Sequence, residues 1–454
     1  MDMLPDDVLL SIFDFCASEH ETRFKLVWET LIHVCRRWRS LVFGSPRSLD
    51  LQLICTSRTS ARNMLDVWPP LPLYIMSIWR DANVDNIIAL LEHKNRVCRI
   101  HIGNMSSLDL EKVLAAMQEP FPELTRLFLF PNVITTAVLP DSFSGGSAFR
   151  LRELDLLRIS FPGLPNLLSS ATHLTYLNLF GIPHSGYVSP EAMVTALSTL
   201  TSLEDLCLEF ISPLSLPDRA SRRLPPPTPI VVPVLTTFEF KGVGEYLEDL
   251  VVRIDAPLLK TLDITFFNQI LFDTPRLVQF ISRTPALKAP ETAEVVFSYG
   301  GAWVQLSSQA SGYGVFSVKI LCQNPDWQVS ALEQVCTSCL PPLSTLEDLY
   351  IYESPYPRPK WQDNIENSLW LELFQPFTAV KNLYLSKEFV PRVMPSLQEL
   401  AGERMAEVLP TLQNIFPEGL DTSGTVQKAS QEFFAARKAS QPIAVSRWDR
   451  GEKF

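Results

Sequence analysis

No stretch of the 454 residues approaches the roughly 18 consecutive apolar residues that a helix needs to cross a bilayer, so no helical membrane span is expected. The start, Met1 to Asp7, has no basic region ahead of an apolar one, and no secretory leader is expected either. Basic charge is short: 39 Lys and Arg against 50 Asp and Glu leave a net charge of −11. That balance opposes the counterion release behind most binding to nucleic acid and anionic membrane, so neither is expected as a partner. These absences together predict a cytoplasmic or nuclear protein.

Catalytic signatures are missing as well. There is no Gly-x-Ser-x-Gly elbow, no Gly-Lys-Ser/Thr phosphate loop and no two-histidine metal spacing among His20, His33, His93, His101, His173 and His184. Gly242-Val-Gly244 and Gly312-Tyr-Gly314 lack the third glycine of a dinucleotide loop. The eight cysteines lie mostly alone among apolar neighbours, as small buried hydrophobes do in a reducing compartment, and no disulfide framework is expected. Cys336 and Cys339 have redox or metal spacing but no second ligand pair, and they sit in a predicted helix before Leu340-Pro341. No catalytic residue, cofactor or metal is therefore expected.

What is present is a foldable chain too long for one compact core, with 46% hydrophobic and 20% charged residues; several domains or an elongated repeat array both fit its length. Near the start, apolar residues at 8, 9, 12, 13, 15 and 16 have helical spacing. Pro5 suits a first turn, and Asp6 and Asp7 suit the positive end of the helix dipole. A second helix is predicted over 24–43, its apolar side carrying Phe24, Val27, Trp28, Leu31, Val34, Cys35, Trp38 and Leu41, with Gly44, Ser45 and Pro46 as the stop. Two such helices hold more apolar surface than about 45 residues can bury among themselves. Some other surface covers the surplus, either the remainder of this chain or a partner.

Leu4-Pro5, then Ile12-Phe13, then Val34-Cys35-Arg36-Arg37-Trp38-Arg39-Ser40-Leu41 resemble the F-box pattern in its usual order. The segment Ala17 to Arg23 replaces the pair of motifs that often links F-box helices, and Asp50 stands where many members have Trp. The resemblance implies an F-box over residues 1–50 that grips a Skp-type adaptor, itself bound to a cullin, through Leu4, Pro5, Val8, Leu9, Ile12, Phe13, Leu31, Val34, Cys35, Trp38 and Leu41. It implies helix-in-groove packing with Pro5, Phe13 and Trp38 as anchors.

From residue 49 onward a Leu-x-x-Leu-x-Leu pattern returns. Its fourth positions fall at 100, 127, 154, 177, 206, 238, 262, 318, 349 and 383, with a degraded copy centred on Val296, so neighbouring copies stand 22 to 34 residues apart. Alternation inside each copy marks a half-buried strand, and capped segments such as Ser189 to Leu197 supply helices between strands. Strand, helix, strand units predict a parallel sheet. The expected fold class is α/β: a small helical F-box, then a diverged leucine-rich-repeat-like α/β solenoid over 51–410. Leu49 to Leu53 and Leu71 to Ile75 are two earlier candidate strands, the first shared with the end of the F-box. The Asn expected nine positions into each motif appears only as Asn132.

Stacked strands present one long surface to other macromolecules. Its outward positions include Arg126, Phe128, Asp155, Tyr176, Asn178, Asp205, Glu239, Asp263, Tyr350 and Tyr384, a mixture of acids and aromatics that points to an unknown protein target, although an ordinary solvated sheet face has the same composition. Residues 213–233, rich in proline, read as an exposed extended insertion, and residues 411–454 as a helical tail or cap with a helix over 426–438. The whole chain is similar to the expanded fungal F-box families. That similarity implies a non-catalytic substrate-recognition subunit of a Skp–cullin–F-box ubiquitin ligase; the alternative is a repeat scaffold for protein–protein interaction that recruits no cullin.

Overall fold

A computed structural model of the chain describes residues 4–18, 30–45, 49, 51–56, 60–78, 83–132, 137–213, 228–267, 272–288, 290–308, 314–341, 343, 345–354, 366–399, 408–418 and 444–448. The chain divides into two compact units, 1–174 and 175–454. Most of the proline-rich insertion, the expected helix over 426–438 and residues 19–29, which include the first part of the expected second helix, lie outside the described residues.

The first unit opens with the helix Asp6–Ser18, its two acids in the first turn as predicted. The second helical stretch, expected to run unbroken to residue 43, is interrupted after residues 30–31. Residues 32–34 form a turn, and a new helix, Arg36–Gly44, starts behind Cys35, whose Sγ accepts from the Trp38 N–H at 3.5 Å. Periodicity carries straight through this break because its apolar residues keep helical spacing, while the cap depends on a thiol, a weak acceptor.

Five strands of this unit form one parallel sheet in the order β1 (Leu53–Thr56), β2 (Leu73–Ser77), β3 (Val97–Met105), β4 (Arg126–Pro131) and β6 (Glu153–Leu157); β5 (Ala137–Val138) and β7 (Ile159–Ser160) pair separately. The first strand starts at Leu53, where it was expected to end, with Leu49 and Leu51 buried ahead of it. The repeat leucines fall into register: Ile75, Ile100, Leu127 and Leu154 occupy one row across β2 to β6. Helices fill the connections, and side-chain amides tie consecutive repeats. Asn86 Oδ1 accepts from the Ala61 N–H at 2.6 Å, and its Nδ2 donates to the Thr56 carbonyl at 3.2 Å. Gly103 lets the Phe130 ring lie close over the backbone, since a Cβ there would come within 1.9 Å of that ring and force it to move.

The second unit starts with β8 (Tyr176–Ile182), β9 (Asp205–Phe210), β11 (Thr237–Gly242) and β13 (Thr261–Phe266), parallel and in register through Leu177, Leu206, Phe238 and Leu262; β10 (Ile230–Val231) pairs with β12 (Ile254–Asp255) apart from them. Ser189 caps the helix Pro190–Leu197 by accepting from the Ala192 N–H at 3.2 Å, as its sequence predicts. Glu248 caps the helix Pro275–Arg283 from the previous repeat: Oε1 accepts from the Leu277 N–H at 2.7 Å and Oε2 from the Arg276 N–H at 3.0 Å.

The repeat then departs from strict parallel order. A meander of β14 (Thr292–Ser298), β15 (Gly301–Ser308) and β16 (Gly314–Ile320) is inserted with β15 antiparallel to both neighbours, and β16 rather than β14 lies beside β13. The register corrects two repeat positions. Phe316, and not Val318, continues the Leu262 row, and Ala293, not Val296, aligns with Leu349. Pairing resumes in parallel from β14 to β17 (Asp348–Glu353), β18 (Asn382–Leu385), β19 (Asn414–Pro417) and β20 (Ala444–Val445). Strand pairing thus continues past residue 410, into the segment from which a helical tail or cap was expected.

The meander is fixed from behind by the helix Pro325–Ser338, which packs on β15 and β16. Gln328, fully buried, donates through Nε2 to the carbonyls of Ser298 at 2.9 Å and Cys322 at 2.7 Å. Gln328→Ala leaves both acceptors unpaired, and a loss of about 2–3 kcal/mol in denaturant-induced unfolding is expected. An unchanged midpoint would show that the two bonds do not stabilise the hairpin.

Candidate functional site

The two N-terminal helices grip each other along one line and leave another open. Phe13 is 1% exposed and meets Trp38 edge-on at 4.7 Å, while Arg37 ties the helices at the opposite end through Asp6 at 2.5 Å and the Leu4 carbonyl at 2.6 Å. Of the residues assigned to adaptor binding, Leu9 and Phe13 are buried, and Trp38 is half-buried against Phe13. Leu31 and Leu41 are also half-buried, and Pro5 and Cys35 are exposed. Among the described residues of this region, the large apolar side chains left exposed are Leu4, Val8, Ile12 and Val34, together with Phe15 at 63% exposure, which resemblance alone did not select. Leu4, Val8, Ile12 and Phe15 recur at helical spacing, so one stripe carries them.

On the first unit's sheet, Arg126, Phe128 and Asp155 stand at outward positions as expected. Arg126 pairs with Glu153 at 3.1 Å, and Phe128 packs edge-on to His101 at 4.3 Å. Burial pushes the His101 imidazole below its usual range, and its hydroxyl neighbour, Tyr74, stands 3.5 Å from Nδ1. This patch is a packed aromatic and ionic face.

The second unit's outward positions line up in rows because the strands are in register. One row runs Asn178, Cys207, Glu239, Asp263, Ser317, Gln305, Glu294, Tyr350, Tyr384 and Phe416. A flanking row holds Tyr176, Asp205, Thr237 and Thr261 and ends in Asp348, Asn382 and Asn414, whose side chains form a ladder: Asn382 Nδ2 donates to Asp348 Oδ1 and Asn414 Nδ2 to Asn382 Oδ1, each at 2.7 Å. Beside it, Tyr350 stacks on Tyr384 at 4.2 Å and Tyr384 on Phe416 at 4.5 Å, the planes within 11°. Trp448 closes the stack at 5.9 Å from Tyr350. Tyr350, assigned to target binding, is consequently buried, and burial with the nearby Asp348 carboxylate raises its phenol to about 12. Tyr384 keeps partial exposure.

At the other end of the row, Glu239 and Asp263 are direct neighbours on β11 and β13. Like charges so placed repel. Desolvation, then Glu239, raise the Asp263 carboxyl above its ordinary range against the lowering effect of Lys319 and a Ser317 hydrogen bond. Asp263 is exposed by area, so screening keeps this cost modest. A raised carboxyl stabilises the fold fully below its unfolded value, and that contribution disappears as pH rises through the folded value. Asp263→Asn is therefore expected to raise the melting temperature slightly at pH 7, with the gain vanishing as pH falls below about 4. A gain that persists at low pH would assign it to packing instead.

Cys336 and Cys339 are buried, and burial pushes both thiols well up, Cys339 to about 12, which suits inert core thiols. Cys339 Sγ accepts from the Thr274 hydroxyl at 3.0 Å. Among the described residues no group of three or more His, Cys, Asp or Glu is placed to hold a metal ion, and no helix is long and apolar enough to cross a membrane.

No protein-family model and no curated protein matches the chain. Among solved structures, the leucine-rich repeat-containing protein LegL7 of Legionella pneumophila matches at 12% identity with a TM-score of 0.30, over 84% of this chain and 97% of that one. So loose an overlap carries no conclusion about function, and the α/β, mostly parallel repeat fold rests on the strand register itself.

Proposed function

We propose that the protein is the non-catalytic substrate-recognition subunit of a Skp–cullin–F-box ubiquitin ligase, its N-terminal helices docking a Skp-type adaptor and its repeat face holding a target protein. The observation that carries this is the exposed apolar stripe of Leu4, Val8, Ile12 and Phe15, running from just ahead of the first helix along it, with Val34 exposed in the turn before the next helix. An apolar stripe of that size on a small helical pair is what an amphipathic helix-in-groove interface requires. The F-box-like order of Leu4-Pro5, Ile12-Phe13 and Val34 to Leu41 gives the stripe its partner. A subunit of this kind raises the local concentration of target near the ligase and performs no chemistry itself, in a cytoplasmic or nuclear setting.

The test is co-purification of adaptor and cullin with tagged full-length chain, wild type against a Val8→Asp, Ile12→Asp double variant. Capture of both by the wild type and loss in the variant support the proposal. Capture of the adaptor alone would favour a scaffold without cullin recruitment. Capture of neither would remove the ligase assignment.

A further inference from the structure

β20, at the edge of the second unit's sheet among the described residues, is held unlike its neighbours. It pairs with β19 over two residues, and the N–H groups of Ala444, Ser446 and Trp448 donate to the carbonyls of Gln413, Ile415 and Pro417 at 2.9, 3.2 and 3.1 Å. Val445 continues the interior row of Leu349, Leu383 and Ile415, all buried, yet it is itself 36% exposed. Ala444, Ser446 and Arg447 are exposed as well, so Trp448 is the one buried side chain of residues 444–448. Its ring lies on the outward face, 5.9 Å from Tyr350 on β17 and 5.7 Å from Tyr384 on β18, strands beyond the one it pairs with. A cap on a repeat array covers the interior row. This segment leaves that row open and instead fills a place on the face proposed to hold a target. In the same outward row Glu239 and Asp263 are exposed, whereas Tyr350, beside Trp448, is buried.

We propose that residues 444–448 are a displaceable strap occupying, within the chain, the docking site of an extended, tryptophan-bearing segment of the target protein, which rests on the target-binding role proposed above for the repeat face. The strap shows the chemistry that the site takes: a backbone added in parallel to the edge of β19, and an indole following the paired residues and set against two phenol rings. Strand addition gives affinity through main-chain hydrogen bonds, and a pocket for one side chain gives selectivity. The indole meets the two rings at 55° and 67°, tilted and edge-on, as ring quadrupoles favour. Three hydrogen bonds and one buried side chain make a small unit that opens without the rest of the sheet. A target segment binds only those chains whose strap is out, so the strap lowers its apparent affinity by that fraction. Release uncovers the β19 edge and the Tyr350 and Tyr384 rings together.

The experiment uses the full-length chain and three fluorescein-labelled decapeptides, read by anisotropy. One copies residues 441–450, a second has alanine in place of its tryptophan, and a third keeps the tryptophan in an otherwise unrelated sequence. Trp448→Ala vacates the site and is expected to bind the first and third peptides at least tenfold more tightly than the wild type does, and the second not at all. Adding Tyr384→Ala is expected to abolish the gain. A misfolded, adhesive variant takes all three peptides alike and fails this pattern. In the wild type, amide exchange at Ser446 and Trp448 is expected to be at least tenfold faster than at Leu349 and Leu383. Equal binding by wild type and Trp448→Ala, indifference to the peptide's tryptophan, or strap amides exchanging in step with β17 and β18 overturns the inference. Binding of the first peptide without the third, or a wild-type dimer in light scattering that Trp448→Ala dissolves, gives the site to this chain's own segment and overturns it too. Adaptor capture measured on the same preparations separates the two proposals: capture without the gain in peptide binding sinks this inference alone, and the gain without capture sinks the ligase assignment alone.

Discussion

Trp370→Ala is expected to lower the stability of the second unit by about 3–5 kcal/mol, as large aromatic truncations in close-packed cores do. Trp370 lies in the helix Asn367–Phe374, fully buried, with its ring 5.9 Å from Phe297 on β14 and 5.6 Å from Phe389, which are themselves 5.1 Å apart. Three rings from a helix, a strand and a following loop meet at one point, so truncation leaves a void that no single element can collapse to fill. Trp370→Phe keeps most of the contact and should cost much less. Circular dichroism in a denaturant series reads the effect, and with two units in the chain the transition is fitted as two steps. A shift under about 1 kcal/mol would mean that the cluster relaxes freely, contrary to its packing.

The second large effect is on binding. Burying an apolar side chain of the size of Val8 or Ile12 is worth about 1.5–3 kcal/mol each. An aspartate in either place adds the cost of desolvating a charge. The Val8→Asp, Ile12→Asp variant is therefore expected to weaken adaptor binding at least 100-fold, about 2.7 kcal/mol or more. Because both positions are exposed, melting of the free chain should be nearly unchanged. Titration of purified adaptor by calorimetry checks both statements, and a loss of less than tenfold would place the adaptor elsewhere.

The alternation of Leu-x-x-Leu-x-Leu copies was enough to find the parallel sheet, because a half-buried strand in register must repeat its buried positions at fixed offsets. That is why Leu127, Leu154, Leu206 and Leu262 align as read. The errors have the same origin. A period of two cannot distinguish a slip of two residues, and Val315, Phe316, Val318 and Ile320 allow either setting, so the slip at Phe316 went unseen. Nor does alternation carry a direction, and the antiparallel β15 was invisible for that reason. The helix break at Cys35 was hidden because periodicity survived it.

For the candidate site, outward positions such as Asp263 and Tyr384 were legible one at a time, whereas their neighbours were not. Only register brings Tyr350 under Tyr384 and Trp448, which buries it, and only register sets Glu239 beside Asp263 and Lys319 beside Trp303. In the N-terminal pair, helical spacing named the apolar residues but could not divide Phe13, turned inward, from Phe15, turned out.

The reversed strand has a consequence for how the second unit acquires its structure. In a plain repeat array each strand docks on the one just before it, so order can spread stepwise along the chain. Here β13 closes onto β16, about fifty residues ahead, and β17 returns to β14, about fifty residues back. Neither closure is complete until the meander exists, yet the meander itself needs only two hairpin contacts between strands adjacent in sequence, events of microseconds rather than long loop searches. Strands β14, β15 and β16 are thus placed to form early and to template growth in both directions, with β13 joining on one edge and β17 on the other.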